Sequence, residues 1–296
     1  MAPRRFEKVP GSETKWKQVV NDAHLWEKTL QVFNNFQSAS KLTQDQFLLF
    51  RTIVLKRGTS FDPAKFNIQQ EHQQARALLN ASTNFQSYKA DIRNRTFVGQ
   101  GEFGLLRKQQ REVLEYDSSD EDKLTRIDET PVNATFINLL QAISEIPATP
   151  TSHWRHSKME FVADFRHGRK YTAITDGQLQ DNQNHAIKAI IECKKDVRKE
   201  NIVATDMQEA AEIVAWIKCY PKPEHQRILV SQDNTEIYVT FATYDDRWLR
   251  HLRCGVRKFD GLMHMYQHSP WDLEDEQDVD DVAAILLAIA LMPTPP

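Results

Sequence analysis

Along the first third of the chain, apolar residues recur at three- and four-residue steps: Leu30, Val32, Phe33, Phe36, Phe47, Leu48, Leu49 and Ile53. Steps of that size gather side chains on one face of a helix, so a helical region is predicted here. The Gln-rich stretch 66–79 is predicted as an amphipathic surface helix. Further on, Val132, Phe136, Ile137, Leu139, Leu140 and Ile143 form an apolar stripe behind Pro131. Proline suits a first helical turn, and Pro147 and Pro150 close this helix.

The second half changes period. Alternation predicts strands over 159–165 and 170–175, joined by a turn at 166–169, and a third strand from about 186 to 194. A helix over 206–220, stopped by Pro221 and Pro223, follows. Strands at 227–230 and 236–244 come next, then helices at 245–252 and 279–291. This order predicts an α/β fold, a mixed central β-sheet flanked by helices. Two regions are expected: a mostly helical N-terminal region, 1–126, packed on the core, and a domain over 127–296. The acidic, serine-containing stretch 117–122 reads as a linker or exposed loop.

Composition narrows the classes. With 40% hydrophobic and 27% charged residues the chain can bury a core. A net charge of −3 gives no global basic field, so a nucleic acid would need a local patch. Three cysteines, Cys193, Cys219 and Cys254, form no CxxC pair, which fits a reducing compartment and argues against a thiolate zinc site. The N-terminus has no apolar signal core, and the apolar run 282–292 is too short to span a bilayer. A soluble intracellular protein is expected, nuclear or cytoplasmic, neither secreted nor membrane-bound.

Gly99–Gly104 is a literal GxGxxG, but no HRD or DFG element follows it. It is read as a turn before a helix. The basic residues Lys89, Arg93, Arg95, Arg107, Lys108 and Arg111 read as a solvated helix face, and the acids of 272–281 as a solvated loop. His264 and His268 lack a third ligand and are read as structural or surface residues. Met207 and Trp216 are expected in the core.

The segment Ile174–Lys195 carries the chemistry. Alternation puts Ile187, Ala189, Ile191 and Cys193 on one face of a strand, and Lys188, Ile190, Glu192 and Lys194 on the other. Thr172, Ile174 and Asp176 share a face in the same way, so pairing would bring Asp176 and Glu192 to one rim beside Lys194. Two carboxylates and a backbone carbonyl are hard oxygen ligands suited to Mg²⁺. Such an ion lowers the pKa of bound water, and a neighbouring lysine can orient that water. Plainer roles exist for each residue. Asp176-Gly177 could be a turn, Glu192 and Lys194 a surface pair, and Thr205–Gln208 a capping box. Glu129 could simply favour its helix N-terminus.

Five segments together carry a resemblance: Glu129-Thr-Pro-Val-Asn133, Asp176-Gly177, Glu192-Cys-Lys194, Met207-Gln-Glu-Ala-Ala211 with Trp216, and Pro270-Trp-Asp-Leu273. In this order they resemble the PD-(D/E)XK nuclease superfamily, closest to a family of fungal nuclease-like domains, over roughly 127–291. The resemblance implies a restriction-endonuclease-like core and Mg²⁺- or Mn²⁺-dependent cleavage of nucleic acid, DNA above all. By it, Asp176 and Glu192 would hold the metal, Lys194 would be the catalytic lysine, and Gln208 would stand behind them. A further acid from the preceding helix would be Glu129, with Glu145 and Glu160 as alternatives. Position 212 is Glu, where RecB-like members have tyrosine. Lys195, Arg198 and Lys199 are placed to meet phosphates. The alternative is a catalytically silent nuclease fold serving as a binding module.

Overall fold

The computed structural model describes residues 6–118, 129–220, 225–257 and 261–293. The boundary expected near 126, most of the acidic stretch 117–122, and Pro221 and Pro223 lie outside them. In chain order the described residues form α1 (Glu13–Asp22), α2 (Gln44–Leu49), β1 (Thr52–Lys56), α3 (Gln69–Ala81), α4 (Thr83–Arg93), α5 (Phe103–Ser118) and α6 (Thr130–Ser144). Then come β2 (Ser152–Arg155), β3 (Met159–Asp164), β4 (Lys170–Thr175), β5 (Gly177–Asp181), β6 (Ile187–Lys194) and α7 (Ile202–Cys219). The chain continues with β7 (Gln226–Asp233), β8 (Glu236–Thr243), α8 (Asp246–Cys254), β9 (Met263–Asp272) and α9 (Glu276–Leu291).

Seven strands pair in the order β1-β9-β8-β7-β6-β5-β2, while β3 and β4 form a separate hairpin. β1 runs parallel to β9 and β6 parallel to β7; the other neighbours are antiparallel. The fold is therefore α/β, with a mixed sheet flanked by helices, as expected. One face of the sheet offers Ala189, Ile191, Cys193, Ile228 and Val230 to α3–α6 and α9. The other offers Ile190, Leu229, Met263 and Met265 to α1, α2, α7, α8 and the β3–β4 hairpin. Strand alternation thus feeds two apolar layers.

The N-terminal third is less helical than its spacing predicts. Thr52-Ile-Val-Leu-Lys56 joins the sheet edge as β1, in register with Met263–Gln267. Its β-branched Thr52, Ile53 and Val54 favour a strand once β9 offers partners. The GxGxxG is a turn: α4 precedes it, and Gly99 takes φ +59°, a left-handed conformation that glycine adopts without strain.

Members of the two charged runs pair with each other, while Arg93, Arg95, Lys108 and Arg111 remain exposed, as read for a solvated face. Lys89 Nζ lies 2.6 Å from Asp280, Arg76 Nη2 2.7 Å from Asp281, and Arg107 Nη1 3.1 Å from Glu274. Arg93 reaches Glu276 through Nε at 2.6 Å. The acids expected in a loop partly lie in α9, whose N-terminus is capped by Asp275 accepting from Gln277 N at 2.8 Å. Among the described residues no helix is long and apolar enough to cross a membrane.

Candidate active site

Asp176 stands where the chain leaves one sheet for another. Lys170–Thr175 pairs with β3, and Gly177–Asp181 pairs with β6. The stretch after Asp176 is thus a strand, where alternation predicts none between 175 and about 186 and Asp176-Gly177 is open to a turn. Gly177 is fixed by crowding: a Cβ there would lie 2.4 Å from Arg155 O on β2. Asp176 itself continues the pairing, its N–H donating to Ile191 O at 2.9 Å. Its Oδ2 accepts from Cys193 N at 3.0 Å, so the carboxylate is held by the backbone of β6. Its Oδ1 lies 3.1 Å from Lys158 Nζ, which comes from the segment joining β2 and β3.

Glu192 points from β6 toward α7 and is 2% exposed. Its Oε1 accepts from Lys194 Nζ and from Gln208 Nε2, each at 2.5 Å. The reading of Glu192 and Lys194 as a surface pair is thereby set aside, because Glu192 is buried. Gln208 Nε2 also donates to Glu212 Oε1 at 2.9 Å, bridging two carboxyls one helical turn apart from its own position and across the layer. Lys194 Nζ lies 3.8 Å from Glu129 Oε1. Glu129 occupies the N-cap position of α6 but makes no side-chain cap bond there.

Burial governs the electrostatics. It pushes the Glu192 carboxyl up to about 8, against the opposing pull of Lys194 and with a further push from Asp176. Burial would lower Lys194, yet the Glu192 carboxylate beside it holds the ammonium above its usual range. Glu212 is raised well above the usual carboxylate range, first by burial and then by the charge of Glu192. Its Oε2 is buried with no hydrogen-bond partner among the described residues. Asp176, Glu192, Glu129 and Glu212 therefore gather near two ammoniums, and burial favours the protonated form of the Glu192 and Glu212 carboxyls.

Several sequence expectations change here. Gln208 is not half of a capping box: α7 begins at Ile202, and Thr205 N is already bonded to Asn201 O at 3.0 Å. Lys188 is not on the Glu192 face. Leu179 pairs with Ala189 but Gln180 with Ile187, so a bulge rotates Lys188 toward Ser152 Oγ, 2.7 Å away, and the end of α9. Glu145 lies at the far end of α6, 3.7 Å from His153, and Glu160 is exposed on β3. Neither joins the cluster as described. Met207 and Trp216 are buried, as expected. His264 and His268 sit in β9, where His268 Nδ1 lies 3.1 Å from Ser60 O.

Arg198 is the largest departure. Lys195 and Lys199 are exposed, but Arg198 is 2% exposed. Its guanidinium donates to Asp233 Oδ2 at 2.6 Å, Glu209 Oε2 at 3.1 Å and Ser231 Oγ at 2.9 Å, and it stacks over the Tyr238 ring at 3.9 Å. Asp206 joins this network through Lys56 Nζ at 2.7 Å and Gln267 Nε2 at 3.3 Å. Arg198 is therefore committed to the interior and does not meet phosphates. A guanidinium satisfies several buried carboxylates at once, which a sequence shows only as one more basic residue.

Two members of the cluster went unpredicted. Glu212 lies four residues after Gln208, so helical spacing could have found it. Lys158 carries no sequence signal, because an irregular segment delivers it. The donor set of carboxylate oxygens, with a buried oxygen of Glu212 unpartnered, suits a hard divalent cation. Among the described residues, however, no three His, Cys, Asp or Glu side chains are grouped so as to hold an ion as they stand. Comparison with known protein families and with curated proteins finds no match to this chain.

Proposed function

We propose that this protein is a divalent-metal-dependent nuclease acting on DNA, with its chemistry at the Asp176–Glu192–Lys194 cluster. The observation that carries the reading is that Lys194 of β6 and Gln208 of α7 meet on the buried Glu192 carboxylate, while Asp176 is anchored on the N–H of the adjacent Cys193. Asp176 and Glu192 would hold Mg²⁺ or Mn²⁺, with Glu129 on the solvent side. When bound, such an ion activates water and offsets charge on a phosphodiester. Lys194 holds the position from which an ammonium steadies both an attacking water and the developing negative charge. Gln208 fixes the Glu192 carboxyl by occupying Oε1. The exposed Lys195 and Lys199, beyond the end of β6, supply phosphate contacts.

The test is direct. With Mg²⁺ or Mn²⁺ the purified protein nicks plasmid DNA, and Lys194→Ala lowers the rate at least about 10²-fold while the circular dichroism spectrum is unchanged. Equal cleavage by both proteins refutes the assignment. A second reading, a silent nuclease fold used for binding, draws on the ammoniums already paired with Asp176 and Glu192. Under it, calorimetry with Mn²⁺ gives no heat that depends on Asp176.

A further inference from the structure

The two ammoniums at the cluster are held in different ways. Lys194 lies on β6, its side chain is 23% exposed, and it faces both Glu192 and Glu129. Lys158 belongs to the segment between β2 and β3, and its side chain is 65% exposed. Asp176 is rigid by contrast. Its backbone is paired with Ile191, and Oδ2 is taken by Cys193 N, so Oδ1 is the oxygen it can offer a ligand. Lys158 Nζ sits on that oxygen.

We propose that Lys158 is a displaceable countercation: its ammonium occupies the Asp176 oxygen that a divalent ion needs, and on release it contacts a nucleic-acid phosphate. The inference rests on the nuclease reading above and adds a residue to it. Burying Asp176 near Glu192 without a cation would leave two carboxylates repelling each other in a poorly solvated place. Lys158 offsets that charge in the metal-free protein. The tie can break because Lys158 itself is mostly exposed, so its ammonium is rehydrated on release and its long stem regains rotamer freedom. The freed ammonium stays tethered near Asp176 by the short segment between β2 and β3 and is open to solvent, where it can meet a phosphate. Lys194, more deeply set and doubly paired, stays with Glu192.

Titrating Mn²⁺ into the full chain, without nucleic acid, tests the first half. Lys158→Met binds Mn²⁺ about two- to fivefold more tightly than wild type, the gain expected when a competing ammonium leaves the Asp176 oxygen. Lys158→Arg, whose fork can hold the carboxylate at two points, binds it more weakly. Fluorescence anisotropy with a short DNA duplex, in Ca²⁺ and across a salt series, tests the second half. Lys158→Met lowers affinity there and reduces the salt slope by about one phosphate contact. Urea unfolding establishes that each variant is folded. If wild type binds Mn²⁺ through Asp176 but Lys158→Met binds it no more tightly, the countercation role is overturned and the nuclease reading stands. Absence of any Asp176-dependent Mn²⁺ heat in wild type overturns both.

Discussion

Arg198→Met removes the cation at the centre of the network behind the candidate site. The methionine stem fills similar space, so the perturbation is electrostatic more than steric. It leaves Glu209, fully buried, without its bidentate partner and Asp233 without the Nε donor 2.6 Å away. Lys56 remains for Asp206 but comes from β1, on the far edge of the sheet. Removing one partner from a buried ion pair typically costs about 3–5 kcal/mol, since the other charge stays buried. Two carboxylates lose their guanidinium here, although Glu209 keeps Ser231 Oγ at 2.8 Å and Gln267 Nε2 at 3.1 Å, so a loss within that range is expected, unless they take up protons. That alternative gives the pH signature. Burial already lifts Asp233 to about 6 with Arg198 opposing it, and losing Arg198 lifts it further. A carboxyl whose folded pKa exceeds its unfolded value contributes stability at low pH and loses it as pH rises through the folded value. The deficit of Arg198→Met is therefore largest near pH 8 and narrows toward pH 5. Urea unfolding at both pH values measures it, and adding Glu209→Gln recovers part of the loss. A deficit below about 1 kcal/mol at pH 8, or a loss of DNA affinity with stability intact, would refute the buried role and return Arg198 to the surface.

Two further outcomes follow from single positions. Gly177→Ala forces a Cβ against the Arg155 carbonyl and the Ile191 and Ile137 side chains, and is expected to cost about 1–3 kcal/mol; an unchanged urea midpoint refutes the crowding argument. His251 is lowered to about 4, first by burial and then by Arg51, so it stays neutral in the fold while the unfolded chain charges below about 6.5. Its contribution is present above pH 6.5 and falls away between there and pH 4. Wild type should thus lose about 2 kcal/mol more than His251→Gln between pH 7 and pH 5. Equal losses would show that the ring is protonated when folded.

What the sequence determined by itself is local. The period-2 pattern of β6 placed Glu192 and Lys194 side by side, the stripe behind Pro131 made α6, and order along the chain put Asp176, Glu192 and Gln208 in line. These features survive because they depend on neighbours a few residues away. The tertiary structure decided everything that needed a partner from elsewhere. β5 is a strand although Gln178 and Gln180 are polar, because β2 and β6 complete its ladder on both sides. β1 is a strand because β9 lies parallel to it, a pairing between segments some two hundred residues apart. One bulge turned Lys188 to the opposite face, which alternation cannot foresee. The same limit governs charge. Arg198, Lys158 and Glu212 look like ordinary ionisable residues until the fold sets each against its partners, since burial and pairing, not residue type, fix what a charged group can do.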